Sequence, residues 1–289
     1  MNRFSYTLHH LARFCNAQFK GVSEDVMIHQ LLIDSRKAKS FKQQLFIAIK
    51  GSRHNGHLFI DELYTKGFTN FLISDTDFEI EKYPKANFLL VDDSLKAFQQ
   101  IAKNHRQQFT IPVIGITGSN GKTIVKEWLS TCLQSQYKVC KSPKSYNSQI
   151  GVPLSVLALN GDADIGVFEA GISQLDEMKS LQCIINPSIG VFTNIGQAHS
   201  ENFKSTEEKV KEKLKLFSNC QQVVYCQDHS AIHSVLTEEF QGQLYSWSKQ
   251  HTNAFIYLKD VFVDADKTVI PLVHEGKEKQ YTIPFIDGY

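Results

Sequence analysis

Four short apolar runs punctuate the first part of the chain, at 31–33, 45–49, 71–73 and 88–91, each bounded by polar or turn-forming residues. Runs of this length predict strands. Between the second and third, 60–66 carries helical spacing and stops at Gly67, a natural helix end. These elements predict a small α/β domain over 1–93. The stretch 94–108 places Leu95, Phe98, Ile101 and Ala102 at helical spacing behind Ser94, which predicts a connecting helix capped by that serine.

From 111 the pattern becomes a regular alternation. Strands are predicted at 113–117, 137–140, 165–169, 188–193 and 222–225, with helices at 122–136, 150–159, 176–183 and 206–217. Alternation of this kind implies a parallel sheet with helices on both faces. Past 243, three strands at 254–263, 268–274 and 279–284 are joined by short polar turns, which predicts an antiparallel β section. The expected fold class is α/β throughout: a small domain over 1–93, a connecting helix over 94–110, and a phosphate-loop-type parallel-sheet domain over 111–289.

Composition narrows the function classes. A length of 289 residues with 42% hydrophobic and 21% charged positions suits two globular domains. The formal charge of +1 gives no electrostatic case for a nucleic-acid or membrane-surface partner. No apolar run approaches the roughly 20 residues of a membrane span, and the N-terminus lacks a continuous apolar core of the secretory type. The six cysteines are scattered without a C-x-x-C pair, so free thiols in a reducing cytoplasm are expected.

Candidate chemistry begins where the strand at 113–117 runs into Gly118-Ser119-Asn120-Gly121-Lys122-Thr123 and then a helix. A strand–glycine turn–helix arrangement aims backbone N–H groups and the positive helix end at an anion. Lys122 is expected against the β- and γ-phosphates of ATP, and the Thr123 hydroxyl on Mg²⁺. The loop is shorter than G-x-x-x-x-G-K-[ST], since Ile116 stands where the first glycine would fall. A bare G-K-T can also be a plain helix start.

TGSNGKT resembles the shortened phosphate loop of the Mur ligases, a family that includes the folylpolyglutamate synthetases. Three further segments match in order: Asn147 to Pro153 as N-x-x-x-G-x-P, Phe168-Glu169-Ala170-Gly171 as a strand-end glutamate motif, and Thr193 to His199 followed by a helix with Lys213. In the first domain, Asp34-Ser35-Arg36 and LFIAIKG at 45–51 resemble the family's uridine-nucleotide-binding domain. Within the family, YNSQIGVPLSVL and EAGISQLDEM resemble the type that adds D-alanyl-D-alanine (D-Ala-D-Ala) to a UDP-MurNAc-peptide. MurE-type and folylpolyglutamate-type ligases are the alternatives, as is a nucleotide-binding fragment without activity. The family's third, C-terminal ligase domain is expected to be missing before Tyr289, so this chain should bind better than it catalyses. In some bacteria this module is fused to an alanine racemase.

The resemblance implies roles residue by residue. Glu169 and His199 would hold Mg²⁺ with Thr123. Lys213, fourteen residues beyond His199, would be carbamylated and hold metal as an anion. Asn147 would bond near the γ-phosphate or metal, and Asn194 would line the same cleft. Ser35 and Arg36 are candidates for the uridine diphosphate, with a structural pair between Arg36 and Asp34 or another acid as the close alternative. Each has a plain counterpart: a solvated glutamate at a strand end, a surface histidine among 11, a lysine on a solvated helix face.

Overall fold

The computed structural model describes residues 4–38, 42–51, 54–196, 202–264 and 266–284. Over the first 111 residues the chain forms β1 (Tyr6–Thr7), α1 (Leu8–Cys15), β2 (Gln18–Lys20), β3 (Met27–Ile28), β4 (Gln30–Leu32), β5 (Gln44–Ile47), α2 (Ile60–Thr65), β6 (Asn70–Ile73), β7 (Asn87–Leu90) and α3 (Ser94–Arg106). There follow β8 (Val113–Thr117), α4 (Lys122–Leu133), β9 (Val139–Lys141), α5 (Gly151–Val156), β10 (Ile165–Glu169), α6 (Glu177–Ile185), β11 (Ile189–Phe192) and α7 (Thr206–Leu214). The remainder is β12 (Gln222–Cys226), α8 (Ser230–Glu239), β13 (Gln243–Ser248), β14 (Ile256–Leu258), β15 (Phe262–Asp264), β16 (Lys267–His274) and β17 (Lys277–Ile283). Among the described residues no helix is long and apolar enough to cross a membrane. All six cysteines are free thiols.

Two compact units result, and they are not continuous in sequence. The first takes Met1–Ile111 together with Gln149–Asp164; the second takes Pro112–Ser148 and Ile165–Tyr289. The expected division at 93 and 111 therefore differs from the packing in two ways. Helix α3 packs into the core of the first unit through Ala97, Phe98 and Ile101 rather than standing apart as a connection. Segment 149–164, expected in the later domain, also belongs to the first unit: Ile150, Leu154 and Leu157 pack on that core, and the Leu159 carbonyl lies 3.0 Å from His105 Nε2.

In the first unit, β4, β5, β6 and β7 pair in parallel and β2 closes the β7 edge antiparallel. The period-two pleat sends alternate side chains to opposite faces. Leu45, Ile47, Leu72 and Leu89 join one cluster with α1 and α3, whereas Phe46, Phe71, Ile73 and Phe88 join an aromatic cluster with Phe68 and Tyr83. Both faces are thus buried. The cap of α3 is one residue earlier than expected: Asp93, not Ser94, accepts from the N–H groups of Leu95 and Lys96. Helix α1 was not anticipated, being short, with Leu8, Leu11 and Ala12 on its buried side.

In the second unit β8 lies between β10 and β11, with β9 beyond β10 and β12, β13 and β14 beyond β11, all parallel. The antiparallel section anticipated after 243 begins later, because β13 and β14 still extend the parallel sheet. Strand β16 then pairs antiparallel with β14, β15 and β17. The β16–β17 turn runs through Glu275 and Gly276, both at positive φ, the conformation of a tight hairpin. Ile114 and Ile116 pack with Val125, Leu129 and Leu133 of α4 on one face of β8. On the opposite face a side chain at Gly115 would meet Pro187 and Leu216, so the helical segment Lys215–Phe217 approaches closely there.

Candidate functional site

The parallel register aligns the carboxyl ends of three adjacent strands, the edge where open α/β sheets bind ligands. Glu169 of β10 pairs with Ile116 of β8, and Phe192 of β11 pairs with Thr117. The chain leaves β8 through Gly118 at φ +146° and enters α4 through Gly121 at φ +77°. The two glycines are required for different reasons. A Cβ at Gly118 would fall 2.0 Å from Thr193 Oγ1, whereas at Gly121 nothing lies within 4 Å and only the left-handed backbone demands glycine.

The loop after β11 holds the phosphate loop in place. Asn194 accepts from Ser119 N–H through its backbone oxygen and from Asn120 N–H through Oδ1, both at 2.9 Å. Thr193 Oγ1 donates to the Asn120 carbonyl at 2.6 Å. Gly121 caps α4 without any side-chain acceptor, leaving the opening N–H groups of the helix for an anion. Lys122 Nζ folds back onto the carbonyls of Gly118 and Ser119 at 2.9 and 3.2 Å. Burial lowers its pKa and the Glu169 charge partly opposes the shift.

Glu169 is wholly buried at the centre of this edge. Its Oε2 accepts from Thr123 Oγ1 at 3.1 Å and from Asn147 Nδ2 at 3.5 Å, and Thr123 Oγ1 is also 3.1 Å from Ser145 Oγ. Its Oε1 is 3.1 Å from the Lys126 ammonium, near enough for an ion pair but off the line of a hydrogen bond, and has no hydrogen-bond partner. Asn147 is itself fixed, its carbonyl accepting from Gly171 N–H at 2.8 Å. The sequence-derived set Gly118, Ser119, Asn120, Gly121, Lys122, Thr123, Asn147, Glu169 and Asn194 is thus brought together.

Lys213 reaches the same place from α7. It is only 3% exposed, and its Nζ lies 3.3 Å from the Gly118 carbonyl. Burial, then the neighbouring Lys122 and Lys209 ammoniums, pulls its pKa down to about 7, with Glu212 opposing. Lys209 is also buried, its Nζ donating to the Gly196 carbonyl at 2.7 Å. His199 lies outside the described residues. Among those described, no three His, Cys, Asp or Glu side chains gather. A hard cation would instead find oxygen donors at Thr123 Oγ1 and at Glu169 Oε2, the carboxylate oxygen that faces Thr123 and Asn147.

Ser35 and Arg36 belong to the first unit, on the short helical turn Ser35–Lys37 that follows β4. Arg36 pairs with Asp34 through Nε and Nη2 at 2.8 and 2.9 Å, and its side chain is 87% exposed. The structural-pair reading of Arg36 is therefore realised, and it occupies the fork that a diphosphate would need.

Sequence reasoning missed Lys126. It lies three and four residues after Thr123 and Lys122, hence on the same helix face, and is fully buried. Its neighbours on that face, Lys122, Thr123 and Ser130, are polar, so no sequence signal marks it as enclosed.

Comparison with known proteins follows the same outline. Residues 116–288 match the Mur ligase middle domain, and residues 27–106 match the Mur ligase family catalytic domain. The UDP-N-acetylmuramoyl-tripeptide–D-alanyl-D-alanine ligase of Bacillus subtilis (strain 168) is 38% identical over 196 residues, which is 68% of this chain and 42% of that protein. Its Escherichia coli (strain K12) counterpart is 31% identical over 215 residues, 74% of this chain and 45% of that protein. Among solved structures, MurF from Acinetobacter baumannii superimposes with a TM-score of 0.86 at 22% identity, over 99% of this chain and 62% of that one. MurF ligase from Thermotoga maritima, in complex with ADP, gives 0.77 at 24% identity, over 88% and 57%. At these identities the superpositions speak for the fold. The chain spans less than half the length of the two curated relatives. The middle-domain pattern alone runs through well over half of its residues, and the chain belongs to the Mur ligase family.

Proposed function

We propose that this chain is the nucleotide- and UDP-substrate-binding part of a MurF-type, ADP-forming ligase that joins UDP-MurNAc-tripeptide to D-alanyl-D-alanine. The observation that carries the reading is the glycine loop at the end of β8, opening into an uncapped helix beside a buried glutamate. The names of the curated relatives support the amino substrate and do not favour the MurE-type or folylpolyglutamate-type alternatives.

Amide formation from a carboxylate in water is uphill, so activation comes first. A carboxylate oxygen of the peptide attacks the γ-phosphorus of ATP, the bond to the β-bridging oxygen breaks, and ADP leaves an acyl phosphate. The amine then attacks the acyl carbon, loses a proton, and expels inorganic phosphate. The protein's task is to place and neutralise charge. In this reading the helix N-terminus and Lys122 meet the phosphates, Lys122 exchanging its two loop carbonyls for phosphate oxygens. Asn147 donates toward the γ-phosphate, while Asn194 keeps the loop in shape. Thr123 and Glu169 would hold Mg²⁺, with His199 and a carbamylated Lys213 at a second position; bound there, the metal supplies neutralisation of the polyphosphate charge. Carbamylation requires a neutral amine whose nitrogen bonds to CO₂ with loss of a proton, and the lowered pKa of Lys213 supports it. Ser35 and Arg36 are proposed to receive the uridine diphosphate, Arg36 releasing Asp34 to do so.

The test is equilibrium binding of a fluorescent ATP analogue to the chain. Lys122→Ala should lose roughly a hundredfold or more in affinity, as expected for removing a charge-assisted contact to phosphate. Unchanged affinity would refute the loop assignment.

A further inference from the structure

We propose that Lys126 is a positioning residue for the nucleotide site, acting through Glu169; the inference rests on the function proposed above. Its ammonium is surrounded by four oxygens: the carbonyls of Ser142 and Lys144 at 2.9 and 2.5 Å, Glu127 Oε1 at 3.0 Å and Glu169 Oε1 at 3.1 Å. An ammonium has three N–H donors, so it is fully engaged, and it is fully buried.

The arrangement divides the Glu169 carboxylate into two halves. Oε1 faces Lys126, and Oε2 faces Thr123 and Asn147, the side chains that point toward the phosphate loop and the proposed metal. The terminal torsion of a glutamate is soft and roughly two-fold, so hydrogen bonds to Oε2 alone would leave the plane of the carboxylate loosely set. A fixed cation on Oε1 selects one orientation. The same ammonium also binds the turn at 142–144, from which Ser145 and Asn147 follow, and Ser142 Oγ accepts from Glu169 N–H at 3.2 Å. Lys126 thereby ties α4, the end of β10 and the Asn147 segment into one rigid group. Glu127 adds a second anchor outward, pairing with Lys126 and with Lys141 of β9. Supporting shells of this kind orient the groups that touch a metal or phosphate without touching either.

The alternative is a strut that only holds the turn. A double-mutant cycle separates the two, because an effect transmitted through Glu169 disappears once Glu169 cannot respond. The readout is the Mg²⁺ concentration giving half-maximal binding of the fluorescent ATP analogue, with thermal melting followed in parallel. Lys126→Met should raise that concentration roughly tenfold to a hundredfold, and so should Glu169→Gln. Lys126→Met combined with Glu169→Gln should match Glu169→Gln alone within about twofold. A double variant worse than Glu169→Gln by the full Lys126→Met factor, or an unchanged midpoint in Lys126→Met, overturns the proposal. Lys126→Met leaves Glu169 buried and unpaired, so if it does not melt cooperatively the comparison of Glu169→Gln with the neutral double variant decides alone: equality supports, a further loss overturns. Failure of the unsubstituted chain to bind the analogue in a Mg²⁺-dependent way would instead strike at the proposed function.

Discussion

Two charged pairs, one in each unit, show how differently the same chemistry can be used. Asp34–Arg36 sits on an exposed turn, with the guanidinium side chain 87% exposed. Lys126–Glu169 is completely enclosed. Water and salt screen the first, so its net contribution to stability is small. The second has lost its hydration, and each ion depends on the other and on the Ser142 and Lys144 carbonyls around Lys126. An exposed pair can exchange partners readily, which suits the proposed release of Asp34 by Arg36 to meet a diphosphate. A buried pair cannot, which suits a residue that must not move. Lys213, buried among like charges, is a third case, in which the fold raises the free energy of a cation and so favours its neutral form.

The sharpest way to break this contrast is at the most crowded point of the buried site. Gly118→Ala puts a methyl on Thr193 Oγ1 in an unfavourable backbone region, and should lower stability by roughly 3 kcal/mol in denaturant unfolding and abolish ATP-analogue binding. Gly121→Ala, with open space around it, carries only the backbone penalty of about 1 kcal/mol. Equal effects would mean the Thr193 contact is not close.

Between these lies the pH response of Lys213. Its pKa falls from 10.5 to about 7 in the folded chain, so between those values the unfolded chain holds the extra proton. Stability then rises with pH through that window, and the penalty is complete below about pH 7. The unmodified chain should gain roughly 2 kcal/mol between about pH 6.5 and 8.5, a gain that Lys213→Met lacks. Parallel pH profiles of the two proteins would remove Lys213 from the argument. The smallest effect is expected at the exposed pair: Arg36→Gln should leave the denaturant midpoint essentially unchanged while weakening uridine-nucleotide affinity. A large loss of stability there would erase the distinction between the two regions.

Much of the architecture could be read from the residues alone. Strands buried on both faces, such as Ile165–Glu169, are continuous apolar runs, and the structure places that strand at those bounds. The strand, glycine turn and helix around Gly118–Thr123 were legible because such a turn depends on local backbone geometry, and local geometry is written in adjacent residues. Glu169, His199 and Lys213 were named only through family resemblance. Helices α1 and α8 went unnoticed because short amphipathic segments with interleaved polar residues give a weak periodic signal. The cap of α3 was placed on Ser94 because serine and aspartate are equivalent caps in sequence, and only the geometry shows which one accepts.

Local order, periodicity and the glycine turn before α4 were therefore determined by neighbours along the chain, where sterics and hydrogen bonding act over a few residues. Tertiary structure decided which charges are buried and against what. Nothing in KTIVKEW says that Lys126 is enclosed while Glu127 remains partly in water, nor that Lys213 rather than Lys211 turns inward. It also decided that residues 149–164 leave the unit that precedes and follows them. Desolvation and long-range pairing depend on residues tens of positions away, and those meet only once the sheet has formed.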